Sequence, residues 1–124
     1  MLICDYCQKS FEISSKGSGG KNRLFCFSCL PENLDRDQRN IIRAKLYSAR
    51  MRQHKESIGC KLCGYDTYGG ALEWHHPDSL TKGYDPADAV KRSWTAYLNE
   101  ISKCVLLCSC HHKEVHAGII PNKF

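Results

Sequence analysis

The chain has 124 residues and carries 18 Lys and Arg against 13 Asp and Glu, a formal net charge of +5. Hydrophobic residues make up 42% and charged residues 25%, which argues against a collagen, a disordered chain or a membrane protein. The N-terminal sequence has no basic and apolar signal-peptide pattern, so a reducing cytoplasm is the expected compartment.

Nine cysteines and six histidines are the unusual feature of this composition. An odd number of cysteines cannot form a complete set of intrachain disulfides. In a reducing compartment, closely spaced cysteines are metal ligands more often than disulfide partners. Metal sites would also stabilise small modules that bury too little apolar area to fold alone.

Residues 1–34 contain two Cys-x-x-Cys pairs separated by 18 residues. Because two thiolate pairs complete a closed tetrahedral shell around one Zn²⁺, this segment is predicted to be a zinc ribbon. The Ser- and Gly-rich stretch 14–20 is expected to be a flexible loop tip between two short hairpin arms. Phe11 and Phe25 are expected to pack beside the metal. The predicted ligands are Cys4, Cys7, Cys26 and Cys29.

Residues 35–57 are predicted to form a linker helix, with Asp35 as its N-cap. Two interpretations of its basic surface stay open. It is either a solvated linker or a helix that lies along the phosphates of a nucleic acid. The basic residues are Arg36, Arg39, Arg43, Lys45, Arg50, Arg52 and Lys55.

Residues 58–124 do not repeat the first segment. Asp85 and Pro86 predict a helix start, with Asp as the cap and Pro at the first helical position. Gly118 predicts the end of the last helix. The predicted elements are strands at 72–75 and 104–107 and helices at 86–102 and 111–117.

Four histidines of this last segment are placed in two pairs. His75 and His76 are adjacent at a strand end, where neighbouring side chains point to opposite faces, so one of them could bind a metal. His112 and His116 are four apart, which places both imidazoles on one face of a helix. Two ligands from a helix and one from a strand would leave metal coordination positions open, as catalytic sites do.

The order of these motifs resembles the HNH endonucleases, and more closely the small zinc-stapled HNH proteins common in phages and bacteria. The matching motifs are Cys60-x-x-Cys63, LEWHHP at 72–77, KCVLLC at 103–108 and HKEVHAG at 112–118. They cover about residues 58–118, roughly half of the chain. The resemblance implies a ββα-metal fold. The expected fold class is therefore a small zinc-stabilised α+β chain with a zinc ribbon, a linker helix and an HNH domain.

The resemblance also implies a role for each motif residue. A strand histidine and two helix histidines would hold a catalytic divalent cation, and the second strand histidine would be the general base. Three cysteines would hold a structural zinc. The implied cation ligands are His75, His112 and His116, the implied base is His76, and the implied zinc ligands are Cys60, Cys63 and Cys108.

Two positions depart from the family pattern. The usual second cysteine of the last zinc pair is replaced by His111, with Cys110 one residue earlier. Both residues are candidates for the fourth zinc ligand, and the retained register of the helix histidines favours His111. The middle Asn of the family is replaced by Lys103, so a backbone carbonyl is expected to orient His76.

The implied activity is metal-dependent hydrolysis of phosphodiester bonds in double-stranded DNA, by nicking or by double-strand cleavage. Two structural Zn²⁺ ions and a catalytic Mg²⁺, Mn²⁺, Ni²⁺ or Zn²⁺ are the expected cofactors. The alternative is a non-catalytic zinc module that binds nucleic acid or a protein. A host cytoplasm is the expected location if a phage encodes the chain. No membrane partner is expected, and the sequence leaves a protein partner or a dimer open.

Overall fold

The computed structural model describes residues 2–13 and 23–124. The predicted loop tip at 14–20 therefore lies outside the described residues. The chain divides into two compact units, Met1–Arg50 and Met51–Phe124. The described residues form a small α+β structure with four α-helices and two sheets of two strands each.

The N-terminal unit begins with an antiparallel hairpin of β1 (Leu2–Ile3) and β2 (Ser10–Phe11). This hairpin encloses the first Cys-x-x-Cys pair, so its two strands are closed by a cysteine turn. Phe25 is 1% exposed and lies in the buried core of this unit with Leu30 and Leu46, and Phe11 packs against it. The two phenylalanines therefore lie in or against the same buried core as Cys4 and Cys26.

Helix α1 (Arg36–Ile58) starts where the sequence predicts. The backbone N–H of Gln38 donates to Asp35 Oδ1 over 2.8 Å, and the backbone N–H of Asp35 donates to Gln38 Oε1 over 3.2 Å. This reciprocal pair satisfies two backbone groups that the helix start would otherwise leave without partners. Asp35 is therefore confirmed as the cap.

The C-terminal unit contains the second sheet, in which β3 (Leu72–His75) pairs antiparallel with β4 (Val105–Cys108). The register places Leu72 opposite Cys108 and His75 opposite Val105. Helix α4 (Ser109–His116) follows β4 directly and packs on the sheet through the buried Val115. This ββα order places the end of β3 beside the face of α4.

The predicted helix over 86–102 is wrong in one respect, because the structure has two helices there. Helix α2 (Pro86–Arg92) and helix α3 (Trp94–Ile101) are separated by Ser93, which has an extended backbone (φ −171°, ψ 160°). The Ser93 hydroxyl accepts from the backbone N–H of Ala96 over 2.9 Å, so Ser93 caps a new helix. Asp85 precedes α2 without a side-chain cap and forms an ion pair with Lys82 over 2.6 Å instead.

Helix α4 ends as the glycine predicts, since Gly118 has φ +79° and follows the last turn directly. Among the described residues, no helix combines the length and the apolar character that crossing a bilayer requires.

Candidate metal centres

The cysteines of the first predicted site converge in the N-terminal unit. The four sulfur atoms lie within 4.8 Å of one another, and Cys7 Sγ is 3.8 Å from Cys26 Sγ. All nine cysteines of the chain are free of disulfides. A closed set of four thiolates is the chemistry of a structural zinc site, so the residues fit the metal that their spacing predicts. The cluster consists of Cys4, Cys7, Cys26 and Cys29.

Each of the two clusters that contain cysteines includes a tight turn that starts at its first cysteine. The backbone N–H of Gln8 donates to the Cys4 carbonyl over 3.1 Å, and that of Gly64 donates to the Cys60 carbonyl over 2.8 Å. Both turns end in the left-handed region, with φ +64° at Gln8 and +76° at Gly64. This turn leaves backbone N–H groups facing the first sulfur, as Tyr6 N does at 3.4 Å from Cys4 Sγ.

These N–H groups favour the ionised form of one thiol in each cluster. Burial raises the pKa of Cys4, but backbone hydrogen bonds outweigh it and lower the pKa to about 6. The pKa of Cys60 is also lowered to about 6, where backbone hydrogen bonds and one from His111 outweigh burial. Because only the thiolate binds a metal, both turns prepare a ligand for Zn²⁺.

The second cluster lies at the junction of β4 and α4. His111 Nδ1 is 3.2 Å from Cys108 Sγ and 3.7 Å from Cys60 Sγ, and Cys63 Sγ is 3.9 Å from Cys108 Sγ. The four ligand atoms lie within 4.8 Å of one another. Cys110 is exposed and is not one of the four. Of the two residues that the sequence left open, the structure brings His111 to this cluster.

The third cluster joins β3 to α4 and contains only imidazoles. His75, His112 and His116 have ligand atoms within 4.8 Å of one another, and the two helix residues approach with Nε2 to Nε2 at 3.0 Å. Two nitrogens that each lie about 2.1 Å from one ion stand about 3.0 Å apart at a right angle and about 3.4 Å apart at the tetrahedral angle, so this spacing is close to that of two ligands of a shared metal. Three ligands leave part of a coordination shell for water or substrate.

Glu73 orients one of these imidazoles. Its Oε1 is 2.6 Å from His112 Nδ1, and its Oε2 accepts from the Ser109 hydroxyl over 3.0 Å. The hydrogen bond with His112 lowers the pKa of Glu73, against the opposing effect of burial. A carboxylate on Nδ1 leaves the His112 Nε2 lone pair for a metal, an arrangement common around metal-binding histidines.

A residue of the C-terminal tail, Asn122, holds the strand histidine. The Asn122 amide nitrogen donates to the Pro77 carbonyl over 2.8 Å, so its Oδ1 faces His75 Nε2 at 2.7 Å. An amide oxygen can only accept, so His75 donates through Nε2. With this hydrogen bond in place, the lone pair of a neutral His75 lies on Nδ1.

His76 is not part of the three-imidazole cluster, and its side chain contacts another carboxylate. Its Nε2 lies 2.8 Å from Glu100 Oε2, and the two side chains are 6% and 4% exposed. The sequence predicted that a backbone carbonyl would orient His76, whereas the structure places the carboxylate of a residue in α3 there. Lys103 contacts this same carboxylate over 3.3 Å.

Glu100 and Asn122, the partners of the two strand histidines, were not predicted from the sequence. They lie 24 and 47 positions along the chain from the residues that they contact. Neither belongs to a local motif. The one available signal was chemical, since a buried imidazole nitrogen requires a hydrogen-bonding partner.

Comparison of the chain with protein-family models, with curated proteins and with solved structures gives no match.

Proposed function

We propose that the chain is a metal-dependent endonuclease of the HNH type that hydrolyses phosphodiester bonds of double-stranded DNA. The observation that carries the proposal is the convergence of His75, His112 and His116 on a ββα unit, with His76 next in sequence. A structural zinc module has no use for an open set of three imidazoles beside a closed ligand set. An enzyme that activates water uses such an open set, because a coordination position is left for water or substrate.

The two clusters that contain cysteines would each hold a structural Zn²⁺. Their four ligands leave no position for a substrate, and thiolates with imidazole are the usual zinc donors. The three-imidazole cluster would hold Mn²⁺, Ni²⁺, Zn²⁺ or Mg²⁺, and imidazole ligands favour Ni²⁺ and Zn²⁺ over Mg²⁺. When bound there, a divalent cation would stabilise the negative charge that develops on the phosphate and on the leaving oxygen.

His76 would act as the general base. An ionised Glu100 can only accept a hydrogen bond, so the proton of a neutral His76 lies on Nε2. The lone pair of the imidazole is then on Nδ1, which can accept a proton. Nδ1 takes a proton from water, the water oxygen attacks phosphorus, and the bond from phosphorus to the 3′ oxygen breaks. That oxygen takes a proton from solvent, which gives a 3′-hydroxyl and a 5′-phosphate.

The charge of helix α1 supports a nucleic-acid partner, although not through all seven of its basic residues. Arg50 forms an ion pair with Asp5 over 2.9 Å, and the buried Lys55 donates to the Leu72 carbonyl over 2.9 Å. The other basic residues are candidates for contacts with DNA phosphates, which would fix the position of the enzyme without reading sequence. They are Arg36, Arg39, Arg43, Lys45 and Arg52.

The test is cleavage of supercoiled plasmid by the zinc-loaded full-length chain, in Mg²⁺, Mn²⁺, Ni²⁺, Zn²⁺ and EDTA. We expect metal-dependent open-circular or linear DNA from the wild type and its loss in His76→Ala. The open-circular and linear forms distinguish nicking from double-strand cleavage.

No cleavage by the folded, zinc-loaded wild type in any of these metals would contradict the proposal. Retained DNA binding in that case, measured by the salt-dependent shift of a labelled duplex, would favour the non-catalytic zinc module.

A further inference from the structure

Glu100 is a nearly buried acid at the end of α3, with only 3% of its surface exposed. Its Oε2 lies 2.8 Å from His76 Nε2 and accepts from the Gly83 N–H over 3.2 Å. Its Oε1 accepts from the Tyr84 N–H over 3.2 Å and from Lys103 Nζ over 3.3 Å. The carboxylate is therefore surrounded by hydrogen-bond donors.

This environment keeps Glu100 ionised near neutral pH. Burial raises the pKa of a carboxyl group, but here the hydrogen bonds from His76, Gly83 and Lys103 outweigh burial and lower the pKa to about 2. An ionised carboxylate has no proton to donate. The hydrogen atom between Glu100 and His76 therefore belongs to the imidazole.

The contact with His76 is also the shortest of the four. The two backbone donors and Lys103 lie 3.2–3.3 Å away, whereas His76 Nε2 lies at 2.8 Å. The side chain of Lys103 is 39% exposed, so solvent screens that ion pair, while His76 and Glu100 are both almost fully enclosed. If Glu100 served only to fix the loop at residues 83–84, it would not need a hydrogen bond from an imidazole.

We propose that Glu100 is a positioning residue that holds His76 in the Nε2–H tautomer and in one ring orientation, so that Nδ1 is directed to the reacting water. The catalytic part rests on the proposed nuclease function, whereas the tautomer does not. Carboxylates perform this task for the histidine of serine protease triads, where loss of the correct tautomer is costly.

The first test is a long-range ¹H–¹⁵N NMR spectrum of the histidines in the ¹⁵N-labelled, zinc-loaded chain. We expect His76 as the Nε2–H tautomer, with assignment by loss of its signals in His76→Ala. In Glu100→Gln the side chain offers one oxygen to four donors, so we expect the tautomer preference to weaken. A wild-type His76 in the Nδ1–H form would overturn the proposal without any variant or activity measurement.

The second test is steady-state plasmid cleavage by Glu100→Gln and by Glu100→Asp, which keeps the charge. We expect Glu100→Gln to lower kcat by about 100-fold, the low end of what a positioned base contributes, with KM and zinc content unchanged. Glu100→Asp should recover part of this loss. The matched control is Glu12→Gln, the same change at an exposed glutamate of the N-terminal unit, and it should leave kcat unchanged.

A folded Glu100→Gln with wild-type kcat would contradict the positioning role. Absence of cleavage by the wild type would contradict the nuclease function instead, and the NMR arm would still decide whether Glu100 fixes the tautomer.

Discussion

Two adjacent histidines of helix α4 belong to two different sets of candidate metal ligands. His111 completes the set with Cys60, Cys63 and Cys108, whereas His112 belongs to the three-imidazole set. Successive residues of a helix point about 100° apart, so one helix serves both clusters. The first set has four ligands and is closed, and the second has three and is open.

The open cluster depends on the closed cluster, whereas the closed cluster does not depend on the open one. The closed set brings His111 at the start of α4 to the turn at Cys60, and we expect a metal bound there to fix which face of α4 meets β3. The open set uses that face. Loss of the closed set should therefore destroy both clusters, while loss of the open set should leave the fold intact.

The largest expected effect is that of Cys60→Ser. Structural zinc supplies about 10–16 kcal/mol of apparent binding free energy in zinc-finger peptides, more than a small domain has to lose. We expect the variant to bind one zinc fewer per chain, to lose the fold of the C-terminal unit and to lose cleavage. Elemental analysis and circular dichroism measure the first two.

The matched control is Cys110→Ser, the same change at an exposed cysteine outside the cluster. It should keep both zinc ions and the fold. Loss of zinc from Cys110→Ser, or a folded and fully loaded Cys60→Ser, would show that the closed set is assigned to the wrong residues.

The next largest effect is expected from His112→Ala, which removes one of three ligands of the open cluster. Cleavage should fall to background, while zinc content and melting temperature stay close to those of the wild type, because the closed set is untouched. Glu114→Gln on the same helix serves as the control and should cleave normally. If His112→Ala loses a tightly bound zinc or unfolds, the two clusters are not separable as described.

Most ligands of the two closed clusters could be predicted from the sequence. Fewer of the residues around the open cluster could be predicted. Cysteine pairs with fixed spacing are local signals, so Cys4 and Cys60 could be assigned before the fold was known. The fourth ligand, His111, required the structure because Cys110 is its neighbour and has similar chemistry. The helical apolar pattern continues across Ser93, so it did not predict the break between α2 and α3. The Ser93 hydroxyl caps α3 and so begins a second helix.

The hydrogen-bond partners of the imidazoles could not be predicted from the sequence for a different reason. Glu100 and Asn122 are brought to His76 and His75 by tertiary packing over 24 and 47 positions. No periodicity encodes such contacts. Glu73 lies two residues before His75, and strand alternation alone did not show that its carboxylate reaches His112 in the next element.

A smaller effect is expected from Glu73→Gln. Removing the carboxylate partner of a metal-bound imidazole typically weakens metal affinity by about 10–100-fold. Calorimetric titration of Mn²⁺ into the zinc-loaded protein measures this, and the melting temperature should change little. Ser109→Ala removes only a donor to the same carboxylate and should weaken affinity less. Equal Mn²⁺ affinity in Glu73→Gln and the wild type would show that the 2.6 Å contact does not tune the site.

The smallest effect is expected from Gly118→Ala at the end of α4. Gly118 has φ +79°, and a residue with a Cβ loses about 1–2 kcal/mol in the left-handed region. Chemical denaturation of the zinc-loaded protein should show this loss, with an unchanged ligand set at both clusters. A denaturation midpoint equal to that of the wild type would mean that the helix end relaxes without strain.

The most direct test of two clusters with two tasks is anomalous X-ray scattering from crystals of the full-length chain, grown with zinc and soaked in Mn²⁺. We expect zinc at both clusters that contain cysteines, and a manganese peak among His75, His112 and His116. Zinc missing from the cluster at Cys60, or no metal at all among the three imidazoles, would contradict this expectation.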